Sequence, residues 1–210
     1  MAWWDSDRVE YRAELKTGAL ALAEHGWPLL PGTYWQANRW TGVPDAPRFG
    51  PTPCVGTNEA TDDVETVTGW WSELPYSVLL ATGSVVDVIE VSALVGRRVC
   101  AALRERGVVV PVATSPIGRW WFAVAAGEAL RPELATRPDL TLHGRGSVVA
   151  APPTLGPQGS MTWRVAPSTC GWRLPEARDL QAAMLDVLGP APASGVPTTG
   201  LGCVATGVRS

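Results

Sequence analysis

The sequence predicts a mixed α/β (α+β) fold, a mixed sheet with helices packed on it, and three observations carry that expectation. Segments with apolar residues three and four apart alternate with short apolar runs; glycine and proline punctuate the joins; and hydrophobic residues make up 46% of the chain against 18% charged, enough for a sizeable core and too little charge for disorder. The 210 residues fit one domain, placed at 1–189, followed by a flexible tail at 190–210 where the composition turns small, polar and Gly/Pro-rich.

The elements follow in order. Tyr11, Leu15, Ala19, Leu22 and Ala23 form one stripe of a helix over about 9–25, ended by Gly26. Trp27, Leu29 and Leu30 give a short apolar segment. Residues 31–61 read as a long ordered loop, because Tyr34, Trp35, Trp40 and Phe49 need something to pack on. Thr61, Asp62, Asp63 and Glu65 suit the positive end of a short helix running into Trp70 and Trp71. SVLLATG and VVDVIEVS are consecutive buried strands split at Gly83 and Ser84, and Leu94 to Arg106 is the second long helix, stopped by Gly107. VVVPVAT and RWWFAVA pair across a turn at 115–118, the ladder resumes at 140–142 and 147–151, and SMTWRVAP adds a strand. The last helix is entered at Pro175 and ended by Gly189 and Pro190.

Several function classes drop out on composition. A formal charge of −3 and a pI near 5.4 exclude a generally basic protein that coats nucleic acid, while leaving room for a local arginine-lined groove. Cys54, Cys100, Cys170 and Cys203 contain no CxxC pair and have only His25 and His143 to join them, which makes a structural zinc site improbable. The start MAWWDSDRVEYR lacks the basic segment and apolar core of a signal peptide, and no apolar run is long enough to span a bilayer, so a cytoplasmic protein with reduced thiols and no membrane contact is the expectation. No GxxxxGK[ST], HExxH or GxSxG occurs.

The remaining polar residues have competing readings. Asp87 and Glu90 sit in an apolar strand, where a carboxylate is costly without a partner, a metal or water. They are three apart on an alternating strand and cannot share a face without a bulge, while the same-face neighbour of Glu90 is Ser92. As a metal site the segment therefore offers Glu90 and little else. In LHGRGS, Gly144 and Gly146 would let the backbone approach a ligand beside His143 and Arg145; the competing reading is an ordinary hairpin turn. Trp120 and Trp121 alternate faces, and core packing is favoured over base stacking in the absence of a basic cluster. His25 stands where its charge would complement the end of the first helix.

The order and spacing of ALALAEHGWPLLP, PTPC followed by ATDDVETVTGWWSELPYSVLLATG, VVDVIEVS, TSPIGRWWFAV, and GRGSVVAAPPT followed by TWRV resemble the N-terminal domain of bifunctional DNA primase/polymerases, of the archaeo-eukaryotic primase superfamily, over roughly residues 10–188. The resemblance implies a core related to an RNA-recognition module and two-metal nucleotidyl transfer. That chemistry needs paired acids on a strand, a histidine facing the nucleotide and a further acid on a later strand. By position these fall at Glu90 and Ser92, at Trp120 and near Thr141, so the resemblance points to a degenerate member with no cofactor. Such a protein would bind nucleotide or single-stranded nucleic acid as an accessory in DNA replication or repair, with Arg119, His143 and Arg145 around the binding groove. Two alternatives stand beside it. One is an active primase/polymerase using Glu90, Asp87 and Asp139 with Mg or Mn. The other is a module that binds a protein partner, favoured by the acidic pI and eleven tryptophans.

Overall fold

The computed structural model describes residues 3–44, 46 and 49–189; the predicted tail at 190–210 lies outside them. Helix α1 (Trp3–Ala23) starts about six residues before the helix expected from the sequence, through a stretch free of proline and glycine. Strand β1 (Leu29–Gly32) follows. The stretch expected as loop contains a hairpin, β2 (Tyr34–Gln36) and β3 (Arg39–Thr41), whose two turn residues Ala37 and Asn38 both have positive φ. That turn type matches the twist of paired strands, and Trp35 faces Trp40 across it with ring centroids 5.4 Å apart. Helix α2 (Val64–Glu73) is capped by Asp63, whose carboxylate accepts the Thr66 N–H at 2.8 Å.

Strands β4 (Ser77–Ala81) and β5 (Val86–Ser92), helix α3 (Ala93–Glu105) and the pair β6 (Val112–Thr114) and β7 (Arg119–Ala125) fall where periodicity puts them. A one-turn helix α4 (Pro132–Ala135) intervenes before β8 (Leu140–His143) and β9 (Val148–Ala150). A small hairpin of β10 (Leu155–Gly156) and β11 (Gly159–Ser160) leads into β12 (Thr162–Val165), and α5 (Ala177–Leu188) ends the described chain.

Two antiparallel sheets organise these pieces: a five-stranded one ordered β12-β6-β7-β5-β8 and a three-stranded one ordered β1-β4-β9. The consecutive strands β4 and β5 therefore separate into different sheets, and so do β8 and β9. Both crossings meet at one point. Thr82 Oγ1 donates to the Gly144 carbonyl at 2.7 Å, and a Cβ on Gly83 would fall 2.1 Å from the Arg145 Cα, so only glycine lets the two connecting turns stack.

One face of the five-stranded sheet buries Ile89, Val91, Phe122 and Val124 against Val99 and Leu103 of α3 and Leu180 and Met184 of α5. Its other face contributes Val86, Val88 and Ala123 to a second cluster with α1, α2 and the three-stranded sheet. Each such fully buried side chain contributes about 1.5 to 3 kcal/mol. Trp120 belongs to the α3 side. A Cβ on Gly96 would lie 2.5 Å from its Cε3, which is why the helix carries glycine there.

Candidate functional site

Register decides which polar residues can meet. In β5 the residues Val86, Val88, Glu90 and Ser92 share one face, while Asp87, Ile89 and Val91 share the other, as expected for period-two alternation. Glu90 stands between Trp121 of β7 and Thr141 of β8; Ser92 stands opposite Arg119, and Val88 opposite His143. Two flanking strands thus aim side chains at one carboxylate on the strand between them. Arg119 Nε donates to Glu90 Oε1 at 2.6 Å, and His143 Nε2 donates to Oε2 at 2.6 Å. The carboxylate only accepts when ionised, so His143 must carry its proton on Nε2 for this bond.

The three side chains are neither fully buried nor free: Glu90 retains 17% of its side-chain exposure, His143 22% and Arg119 30%. Burial pushes the Glu90 carboxyl up, but the hydrogen bonds from His143 and Arg119, with their charges, outweigh it, and the net displacement is below the ordinary carboxylate value. Among the described residues no acceptor meets the Nη groups of Arg119 or Nδ1 of His143. The Nη groups remain as donors for a ligand, while Nδ1 accepts when the ring is neutral and donates only from the imidazolium.

The structure corrects two groupings expected from the sequence. Asp87, Glu90 and Asp139 do not converge. Asp87 is buried on the helix-covered face, where Oδ2 accepts the Gly127 N–H at 2.9 Å and Oδ1 has no partner. Asp139 lies one residue before β8 and turns to Arg137, with Nε to Oδ1 at 3.2 Å. Among the described residues no group of three or more His, Cys, Asp and Glu side chains is placed to hold a metal ion. The second correction concerns the basic residues: Arg119 and His143 meet at Glu90, but Arg145 is in the turn over Gly83, beyond the other end of β5.

Trp120, the residue at the position where the resemblance calls for a histidine, does not face Glu90. Trp120 pairs with Val91 on the helix-covered face, beneath α3 and with the Arg164 guanidinium 5.0 Å from its ring centre, while Trp121 is the residue beside Glu90. A one-residue step on a strand changes the face. Ser92 is committed as well: its Oγ accepts the Val95 N–H at 3.4 Å as the cap of α3. His25 donates from Nδ1 to the Ala21 carbonyl at 2.8 Å, as its position at the helix end suggested, and stacks on Trp172 at 3.7 Å between ring centres. The thiols of Cys54, Cys100 and Cys170 are free, and burial pushes all three up, that of Cys54 to about 11.

The partnership of Glu90 with His143, 53 residues away, left no local trace in the sequence. The aromatic groove of about 830 Å³ walled by Tyr11, Arg12, Tyr34, Trp35, Asn38 and Leu155 was missed too, because its β2–β3 wall was read as loop. Its available signal was Asn38, a residue that tolerates the left-handed turn conformation.

An antiparallel sheet backed by two helices, faced by a second sheet and bearing its charged cluster across β7, β5 and the edge strand β8 defines the class: a mixed α/β domain with a polar site on the sheet face. Residues 19–181 match the model of the bifunctional DNA primase/polymerase N-terminal domain, and the chain belongs to that family. No curated protein matches the chain. Among solved structures it is similar to the polymerase domain of Mycobacterium tuberculosis Ligase D in complex with DNA, at 12% identity and a TM-score of 0.37, over 83% of this chain and 88% of that one. Among the described residues no helix is long and apolar enough to cross a membrane.

Proposed function

We propose that this chain is a degenerate primase/polymerase-type domain that has lost nucleotidyl transfer and binds nucleotide or single-stranded nucleic acid through the Glu90 face, as an accessory in DNA replication or repair. The observation that carries the reading is that both carboxylate oxygens of Glu90 are already occupied by Arg119 and His143. A pair of divalent ions needs oxygen ligands on both sides to clamp the attacking and leaving oxygens. The residues on this face do not fit that pair. Where the resemblance calls for a second acid stands Ser92, engaged in capping α3, and the later acid is Thr141.

What the residues can do is hold an anion. The Arg119 guanidinium uses Nε to grip Glu90 and retains its Nη edge, the geometry that suits a phosphate oxygen. Trp121, beside Glu90 on the same face and half-buried, supplies a flat neighbour on which a base can stack.

Two assays on the purified chain test the reading. Template, nucleotides and Mg²⁺ or Mn²⁺ should give no primer and no extension product, and single-stranded DNA should bind with an affinity that falls steeply as salt rises. Robust synthesis abolished by Glu90→Ala would reverse the reading in favour of an active enzyme. Absence of nucleic-acid or nucleotide binding at low salt would remove it altogether.

A further inference from the structure

Charge on this face is balanced by side chains. Glu90 contributes one negative charge, Arg119 one positive, and His143 a hydrogen bond that stands whether its ring is neutral or charged. To act as a metal ligand, Glu90 would have to give up two hydrogen bonds of 2.6 Å and release the Arg119 guanidinium towards the incoming cation, a like-charge approach at a place where, among the described residues, no group of three or more His, Cys, Asp and Glu side chains gathers to hold the ion. As a brace it has no such conflict. It fixes Arg119 through Nε and His143 through Nε2, so that the Nη groups and Nδ1, which meet no acceptor among the described residues, are held on the same face of three neighbouring strands.

We infer that this face binds phosphate groups without a divalent cation, with Arg119 as the phosphate donor, His143 joining it from Nδ1 in its imidazolium form, and Glu90 as the positioning residue that orients both. The inference rests on the reading of this face as a nucleotide or nucleic-acid site and deepens it by naming the recognised group and the species that neutralises it. Arg119 stands in for the metal as the positive charge on the phosphate. A triphosphate chain and the backbone of single-stranded DNA present the same oxygens, so either can supply the ligand.

The test is calorimetric titration of the whole chain with inorganic triphosphate, and separately with single-stranded oligothymidylate, in EDTA and in excess Mg²⁺. Binding in EDTA should equal or exceed binding in Mg²⁺, since the cation competes with Arg119 for the phosphate oxygens. Arg119→Ala should weaken it by about ten- to hundredfold, the span of a charge-assisted hydrogen bond, and Arg119→Lys should restore part of the loss. Glu90→Ala should weaken binding by letting both side chains swing free, and Glu90→Gln, whose amide oxygen still accepts from Arg119 Nε and whose amide N–H can donate to Nε2 of the other His143 tautomer, should bind more tightly than Glu90→Ala. Binding that requires Mg²⁺, or that Glu90→Gln abolishes as Glu90→Ala does, would make Glu90 a metal ligand and overturn the inference. Triphosphate binding in EDTA without oligothymidylate binding supports it with a nucleotide as the ligand, and the reverse supports it with a strand. Failure of both probes under both conditions would instead sink the underlying reading of a nucleotide or nucleic-acid site.

Discussion

Arg119 and Arg145 lie at opposite ends of β5. Arg119 is the register partner of Ser92 at the end of the strand, whereas the backbone of Arg145 rests on Gly83, which precedes the first residue of the strand, Val86. The six residue steps from Val86 to Ser92 span about 20 Å at the rise of an extended strand. The two arginines cannot serve one phosphate, and that separation predicts different phenotypes. Arg145→Ala should leave the melting temperature within about a degree of the wild type and change single-stranded DNA affinity much less than Arg119→Ala does, because an exposed side chain away from special features is worth within about 0.5 kcal/mol. Equal losses for the two variants in a binding titration would place the ligand across the turn instead.

Glu90 makes stability depend on acid. Its carboxyl lies below its ordinary value in the folded chain, so ionisation favours folding: the contribution is fully present above the unfolded value of about 4.3 and is lost as pH falls through the folded one. Urea unfolding followed from neutral pH down past about 4 should show the wild type losing stability more steeply than Glu90→Gln. Identical slopes would mean that the ion pairs of Glu90 contribute nothing to folding.

Asp87 separates a structural carboxylate from a functional one. Its Oδ2 holds the Gly127 N–H and its Oδ1 is buried without a partner. Asp87→Asn keeps an acceptor for Gly127 but places an amide group where Oδ1 has no partner, so it should cost stability, though less than Asp87→Ala. Asp87→Ala orphans that N–H and should cost about 1 to 3 kcal/mol. Neither should alter phosphate binding beyond its effect on folding. A selective loss of binding in Asp87→Asn, with the melting temperature preserved, would bring this residue back into the site.

Gly96 is required by contact with Trp120. A methyl group there would press on the indole at 2.5 Å, and overpacking of this kind costs about 1 to 3 kcal/mol. Gly96→Ala should lower the melting temperature by about 2 to 4 °C for each kcal/mol lost, and combining it with Trp120→Val should cost less than the sum of the two single changes. Strict additivity in thermal melts would show that α3 does not rest on this ring.

The helices and most strands were legible because their signals are local. The apolar stripe of α1, the Asp63 cap of α2, the runs of β4, β5 and β7 and the glycine and proline that bracket α5 each act within one turn or a few residues. Alternation alone was enough to set Asp87 and Glu90 on opposite faces, and the structure keeps them there. The β2–β3 hairpin escaped because its strands are three residues long and its turn opens on Ala37, a residue that gives no sign of positive φ.

Partner choice was settled only in three dimensions. Nothing local in SVLLATG or VVDVIEVS says that they enter different sheets; the stacking of Gly83 on Arg145 and the bonds of Thr82 to the neighbouring turn decide it. The same holds for the site. Sequence determined that Glu90 and Asp87 sit on opposite faces of one strand, since residue type and strand parity are written in the chain. Tertiary structure decided what the Glu90 carboxylate does, because strand register alone brings Arg119 and His143 from two other strands to its two oxygens and leaves Arg145 and Asp139 elsewhere. Pairing across a sheet depends on contacts between residues distant in sequence, and no local propensity encodes it.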